Sequence, residues 1–203
     1  LGPKIAVADV NGDQRDDLYI GGGKDQAGAL YIQNSLGEFS LSRQPAFEAD
    51  SSYTDTDAIW LDVNGDGLND LFVVSGGTDF PKESTNYQDR LYLNTGSGDF
   101  VKAEDALPLM PVSGGAVATT DFNGDGFPDL FIGGRYLPGN YPEAPRSYLL
   151  ENDGNGKYTD VTLEYNAGLL VPGLISDALF TDTNGDGKEE LVLAGEWMGI
   201  QIF

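Results

Sequence analysis

Apolar residues along this chain come in short runs of four to seven, set off by glycine and aspartate, and the runs arrive in pairs. KIAVA is followed by LYIGG, AIWL by LFVVSGG, GAVATT by LFIGG, and DALFT by LVLAG. Runs of this length, rich in Val, Ile, Phe and Ala and bounded by Gly and Asp, predict strands rather than helices. Three of the four pairs are followed by a further hairpin signal, in ALYIQNSLGEFSL, RLYLNTGSGDFVK and SYLLENDGNGKYTDV, where Asn and Gly stand between two alternating segments. Each unit therefore predicts four strands. Long helical periodicity is absent, and 28 glycines and 10 prolines punctuate the chain.

Between the two runs of every pair lies one acidic string: DVNGDQRDDL from Asp9, DVNGDGLNDL from Asp62, DFNGDGFPDL from Asp121 and DTNGDGKEEL from Asp182. The starts are 53, 59 and 61 residues apart, a period that signals stacked supersecondary units. Four-stranded units in series suit the blades of a β-propeller, which leaves only short, protected sheet edges. The expected fold class is all-β, with blades at 4–44, 56–104, 114–162 and an incomplete one at 174–203. In the last, GEWMGIQIF reads as a third strand with no fourth behind it. Terminal repeats normally cap or close an array, so the segment reads as part of a larger propeller.

The acidic string has the spacing of a cation loop. In the second copy Asp62, Asn64, Asp66, Leu68 and Asp70 occupy positions 1, 3, 5, 7 and 9. Alternate oxygens on a tightly curved loop, with a backbone carbonyl at position 7, are how a protein surrounds Ca²⁺ with six to eight ligands. Gly67 at position 6 permits the positive φ of the turn. The pattern recurs at Asp121, Asn123, Asp125 and Asp129, and at Asp182, Asn184, Asp186 and Glu190. An EF-hand would need a Glu at position 12, where this chain has Ile20, Val73, Ile132 and Leu193. The loop must close at position 9 and run straight into a strand. Without a cation, three carboxylates within about 5 Å would repel by on the order of 1 kcal/mol per pair even in water. Two copies depart from the pattern: Gln14 replaces the position-6 glycine in the first, and Glu190 replaces Asp at position 9 in the fourth.

Composition narrows the function. With 33 acidic and 11 basic residues, the net charge of -22 argues against nucleic acid and anionic membrane surfaces as partners. At 40 % hydrophobic, the chain is no solvated acidic tail. It has no cysteine and no histidine, so thiolate chemistry, the commonest general base and the usual zinc or copper ligands are all lacking. No apolar run is long enough to span a bilayer, and the start, LGPKIAVADV, does not have the architecture of a signal peptide.

The acidic strings resemble FG-GAP or VCBS repeats, the calcium-loop blades of integrin α-subunit propellers and of many bacterial surface proteins. The fuller register, in which the loop is followed by a strand, GG and then RLYLNTGSGDF or SYLLENDGNGKYTDVT, is similar to the propellers of the cartilage acidic protein and ASPIC/UnbV-associated type. The resemblance covers essentially the whole chain. It implies an extracellular, cell-surface or periplasmic propeller without catalysis, holding up to four Ca²⁺. Carried over position by position, it adds Asp9, Asn11, Asp13 and Asp17 to the ligands, with carbonyls from Arg15, Leu68, Phe127 and Lys188.

In an up-and-down blade the acidic loops share one face, and the connections between strands two and three lie on the other. Two of the latter are long, TDFPKESTNYQDR at 78–90 and RYLPGNYPEAPR at 135–146. Loops of that length in a compact repeat tend to carry function. The second holds Arg135, Tyr136, Tyr141 and Arg146, a composition found at recognition surfaces and equally one that packs over a neighbouring blade. Trp60 and Trp197 are expected in the core. The sequence thus favours a non-enzymatic module for a protein or glycan ligand. A carbohydrate-active enzyme on the same scaffold would need an Asp/Glu pair or a Lys, Tyr or Arg base, and a purely architectural repeat is the third reading.

Overall fold

A computed structural model describes residues 3–203 and holds four antiparallel sheets in series. Leu1 and Gly2, at the head of the start read above for targeting signals, lie outside the described residues. The first sheet pairs β1 (Ile5–Ala8), β2 (Asp17–Ile20), β3 (Ala29–Gln33) and β4 (Phe39–Ser42) in chain order. The second pairs β5 (Asp55–Leu61), β6 (Asp70–Ser75), β7 (Arg90–Asn94) and β8 (Phe100–Lys102), and the third β9 (Ser113–Thr120), β10 (Asp129–Tyr136), β11 (Tyr148–Asn152) and β12 (Tyr158–Asp160). The fourth has three strands, β13 (Leu174–Thr181), β14 (Glu190–Glu196) and β15 (Gln201–Ile202). The chain is all-β, and its sheets are consistent with blades covering part of a larger propeller. Among the described residues no helix is long and apolar enough to cross a membrane.

Burial along each strand follows its place in the stack. Every residue of β6 is buried, because its sheet has a neighbour on both sides. In β2 burial alternates, with Asp17 and Tyr19 inside, because only one face of the first sheet is covered. The opposite face leaves Ile5, Val7 and Leu41 exposed, as do Leu179 and Ile202 on the last sheet.

Three apolar layers lie between the sheets. The first joins Tyr19, Leu30, Leu71, Tyr92 and Phe100, and the short helix α1 (Pro45–Ala49) drives Phe47 into it. Phe47 meets Tyr92 edge-on at 4.8 Å, a contact worth about 1 kcal/mol beyond the burial of each ring. The second layer centres on Phe72, Val74, Leu130 and Leu150, and the third on Phe131, Leu169, Ile175 and Leu193 beside α2 (Thr162–Tyr165). The sheets approach closely where side chains are absent. A Cβ on Gly133 would sit 2.4 Å from the Ile175 side chain, so β10 and β13 pack only because that residue is glycine.

Two expectations fail. GEWMGIQIF is not one strand: Gly195 and Glu196 finish β14, and β15 is confined to Gln201–Ile202. Trp197 is not in the core. It takes φ 57° in the turn after β14, which carries its ring out of the sheet to 81 % exposure, where Nε1 donates to the Tyr141 hydroxyl at 2.6 Å. Trp60, next to the end of β5, does pack against the first layer, partly buried.

Candidate functional site

The four acidic strings form the connections β1–β2, β5–β6, β9–β10 and β13–β14, and their backbone turns are alike. In the second, the Asp62 carboxylate accepts the N–H groups of Gly65 at 2.8 Å, Asp66 at 3.1 Å and Gly67 at 2.8 Å. Asn64 Oδ1 accepts the Asp66 N–H at 3.0 Å, and Asp66 Oδ1 accepts that of Leu68 at 2.9 Å. The side chains at positions 1, 3 and 5 thus fold back over the loop and satisfy backbone donors two to five residues ahead, the Asx chemistry of tight turns. Asp121, Asn123 and Asp125 repeat the set on Gly124, Asp125, Gly126 and Phe127. So do Asp182, Asn184 and Asp186 on Gly185 to Lys188, and Asp9, Asn11 and Asp13 on Gly12 to Arg15. Backbone donors hold the Asp9 carboxyl below its ordinary value despite the opposing pull of burial; at Asp182 the N–H groups of Gly187 and Gly185 do the same. Gln14 takes φ 66° where the other loops have glycine, and Arg15 turns back to pair with Asp13.

Position 9 has a second task that spacing alone does not reveal. Asp70 is fully buried, with one oxygen on the Val63 N–H at 3.2 Å inside its own loop and the other on the Asn94 N–H at 2.7 Å at the end of β7. Asp129 bridges Phe122 and Asn152 in the same way, and Asp17 bridges Val10 and Gln33. Burial pushes Asp70 and Asp129 up to about 6 against those N–H bonds, and the other acids of each loop push the same way. Burial also raises Asp17. Glu190 differs. Its oxygens turn inward to the Thr183 N–H at 2.9 Å and the Asn184 amide at 2.9 Å, so the fourth loop is not tied to a third strand.

Adjacent loops are also tied to each other by residues that the sequence reading passed over. Asn94 Nδ2 donates to the Val10 carbonyl at 2.8 Å, and Asn152 Nδ2 to the Val63 carbonyl at 2.9 Å, each reaching from a third strand into the acidic loop of the preceding sheet. Asn69 Nδ2 reaches the Asp9 carbonyl at 2.8 Å. The only local signal for Asn94 and Asn152 is their place two residues before a hairpin glycine, Gly96 or Gly154, whose N–H each caps at 3.0 Å.

Among the described residues no group of three or more His, Cys, Asp or Glu side chains is gathered as a metal cluster. The loop oxygens are spent instead on backbone donors and, in two loops, on an Asn64–Asp66 or Asn123–Asp125 contact. In kind, the donor set of carboxylate, carboxamide and carbonyl oxygens matches a hard divalent cation and no softer one.

The long connections lie at the other ends of the strands. Residues 76–89 carry a 3₁₀ turn at Thr85–Tyr87, with Tyr87 buried and its hydroxyl on the Phe80 carbonyl at 2.6 Å. Of the other connection's expected residues, Arg135 and Tyr136 lie within β10; Arg135 is buried, donating to the Leu174 carbonyl at 3.0 Å and pairing with Glu196, whereas Tyr141 is exposed. Packing between blades therefore claims Arg135. Arg146 pairs with Asp160 at 2.5 Å and lies over the Tyr148 ring. Two cavities open on this side, one of about 280 Å³ beside Asp89 and one of about 340 Å³ walled by Pro111, Tyr136, Pro138, Pro145 and Arg146. Beneath the first, Arg90 pairs with Asp55, whose other oxygen takes the Tyr19 hydroxyl at 2.8 Å and the Gly22 N–H at 2.6 Å.

Comparison with known proteins places these features in context. An FG-GAP-like repeat matches residues 9–73 and 62–132. Integrin alpha-V of Gallus gallus is 29 % identical over 150 residues, covering 66 % of this chain and 14 % of the integrin. Two solved structures share the fold. One is an Agrocybe aegerita lectin with specific recognition of non-reducing terminal N-acetylglucosamine (TM-score 0.57, 17 % identity, 97 % of this chain and 50 % of that one). The other is the Dos1 propeller (TM-score 0.55, 14 % identity, 95 % of this chain and 42 % of that one). The chain thus spans about half or less of these two structures, and a small part of the integrin.

Proposed function

Since this chain belongs to the FG-GAP-like repeat family, we propose that it is a non-enzymatic, calcium-stabilised binding module of an extracellular, cell-surface or periplasmic protein. Its acidic loops would hold Ca²⁺, and the face of the long connections would receive a protein or glycan. The observation that carries the reading is the fourfold recurrence of one loop geometry, with oxygen-bearing side chains at positions 1, 3 and 5 folded over the same turn. The ligands would be Asp62, Asn64, Asp66, Asp70 and the Leu68 carbonyl, and their counterparts in the other three loops. Bound Ca²⁺ would neutralise the mutual repulsion of each loop's carboxylates. Asp17, Asp70 and Asp129 would pass that order to the sheet, because each already joins its loop to a third strand.

Absence of catalysis is supported by the family and by the lack of any His or Cys. A closer kinship with the cartilage acidic protein type rests on the sequence register alone. The test is thermal melting with 1 mM Ca²⁺ against EDTA, with calorimetric titration of the metal. A ligand at 100 times its Kd stabilises by about 2.7 kcal/mol per site, which for a chain of this size is roughly 5–10 °C. An unchanged melting temperature, with no heat of Ca²⁺ binding, would defeat the reading.

A further inference from the structure

The cavity of about 280 Å³ on the long-connection face contains an acid that the fold does not use fully. Asp89 lines it and is 5 % exposed. One of its oxygens accepts the Ser75 N–H at 2.8 Å, and the other receives no hydrogen bond from any described residue. The two cations that also line the cavity, Arg90 and Lys102, are committed elsewhere. Arg90 pairs with Asp55 and Lys102 with Asp50, and both flank the Tyr53 ring, at 4.4 and 5.3 Å.

Nor does the sheet require a carboxylate here. At the matching place in the third sheet, the residue just before β11, the Ser147 hydroxyl oxygen accepts the Gly134 N–H at 3.0 Å. A neutral oxygen suffices for that bond. Burying a carboxylate with one oxygen unpaired costs several kcal/mol, so the acid at Asp89 is surplus to folding: in the free chain burial keeps it protonated at neutral pH, and a cation from outside would ionise it.

We propose that this cavity binds a primary alkylammonium group, presented as a lysine side chain of a partner protein. Asp89 offers one free oxygen, which suits the compact charge of an ammonium better than a guanidinium fork that needs two. Leu107, Pro108 and Leu109 form an apolar wall for the methylene stem, and Glu104 adds a second acid at the exposed rim. The net charge of -22 draws cationic partners towards the whole surface. This inference rests on the reading of the long-connection face as the binding face.

The experiment is an NMR titration of the chain, in millimolar Ca²⁺, with three capped tripeptides, acetyl-Gly-X-Gly-amide, where X is lysine, norleucine or arginine. The lysine peptide should shift the amides of Asp89, Leu91 and Glu104 and bind at least tenfold more tightly than the norleucine peptide, and more tightly than the arginine peptide. Asp89→Ser, which keeps the bond to Ser75, should lose at least tenfold in lysine affinity. Glu104→Gln, at the exposed rim, should lose two- to threefold. Equal affinity for lysine and norleucine, an undiminished Asp89→Ser variant, or arginine binding as well as lysine would each overturn the proposal. Failure of the lysine peptide to bind while Ca²⁺ still raises the melting temperature would overturn the pocket and leave the metal reading standing.

Discussion

Replacing Asn152 by alanine tests whether neighbouring blades are held together at their acidic loops. The side chain is 1 % exposed. Its amide donates to the Val63 carbonyl at 2.9 Å and the Pro128 carbonyl at 3.2 Å, while its oxygen accepts the Gly154 N–H at 3.0 Å. Pro128 keeps the Tyr158 hydroxyl as a partner at 3.0 Å, so the principal loss is an unsatisfied Val63 carbonyl. An abandoned buried acceptor costs about 1–3 kcal/mol, and the lost Gly154 cap adds about 0.5–1.5 kcal/mol. The expected penalty is therefore about 2–4 kcal/mol in urea unfolding followed by circular dichroism, or roughly 5–15 °C in melting temperature. Asn152→Asp should be worse than alanine, because a carboxylate cannot donate and would face two carbonyls beside Asp129. A penalty below about 0.5 kcal/mol for alanine, or an aspartate variant more stable than the alanine one, would refute the assignment of this contact as the tie between the second and third sheets.

Other consequences are open to simple measurement. Burial pushes Asp89 up to about 8, against Ser75 N–H and Arg90, so between about pH 4 and pH 8 the folded chain holds a proton that the unfolded chain has released. Stability should then fall as pH rises through that window, by up to about 1.4 kcal/mol per unit, and Asp89→Ser should flatten the profile; parallel profiles would contradict this. Gln14→Gly should stabilise the first loop by about 0.5–1 kcal/mol by relieving φ 66°. Gly67→Ala, at φ 81° with open space around the added Cβ, should cost about 1 kcal/mol through backbone strain alone. Equilibrium unfolding of the two variants would show opposite signs.

The order of strands and the turns between them could be read from the chain because both are local. Nine residues suffice to write an Asx-capped loop, and the runs of Val, Ile, Phe and Leu on either side of it declare strands whatever they later pack against. The same locality explains Trp197: its neighbours predict a strand, but a left-handed turn after β14 sends it outward, and nothing within a few residues announces that. What only the tertiary structure decided was which oxygens and amides meet across the stack. Asn152 reaches a carbonyl 89 residues away and Asn94 one 84 residues away, distances at which no sequence period carries a signal. Position 9 looked like one more metal ligand, yet Asp17, Asp70 and Asp129 are also the bridges from loop to third strand, a role created by their burial when the strand arrives. Asp89 and Ser147 accept the same backbone bond in neighbouring sheets, and only packing reveals that one of them is an acid the sheet does not need. Local turn chemistry is written residue by residue, whereas desolvation and surplus charge depend on what the rest of the chain places alongside.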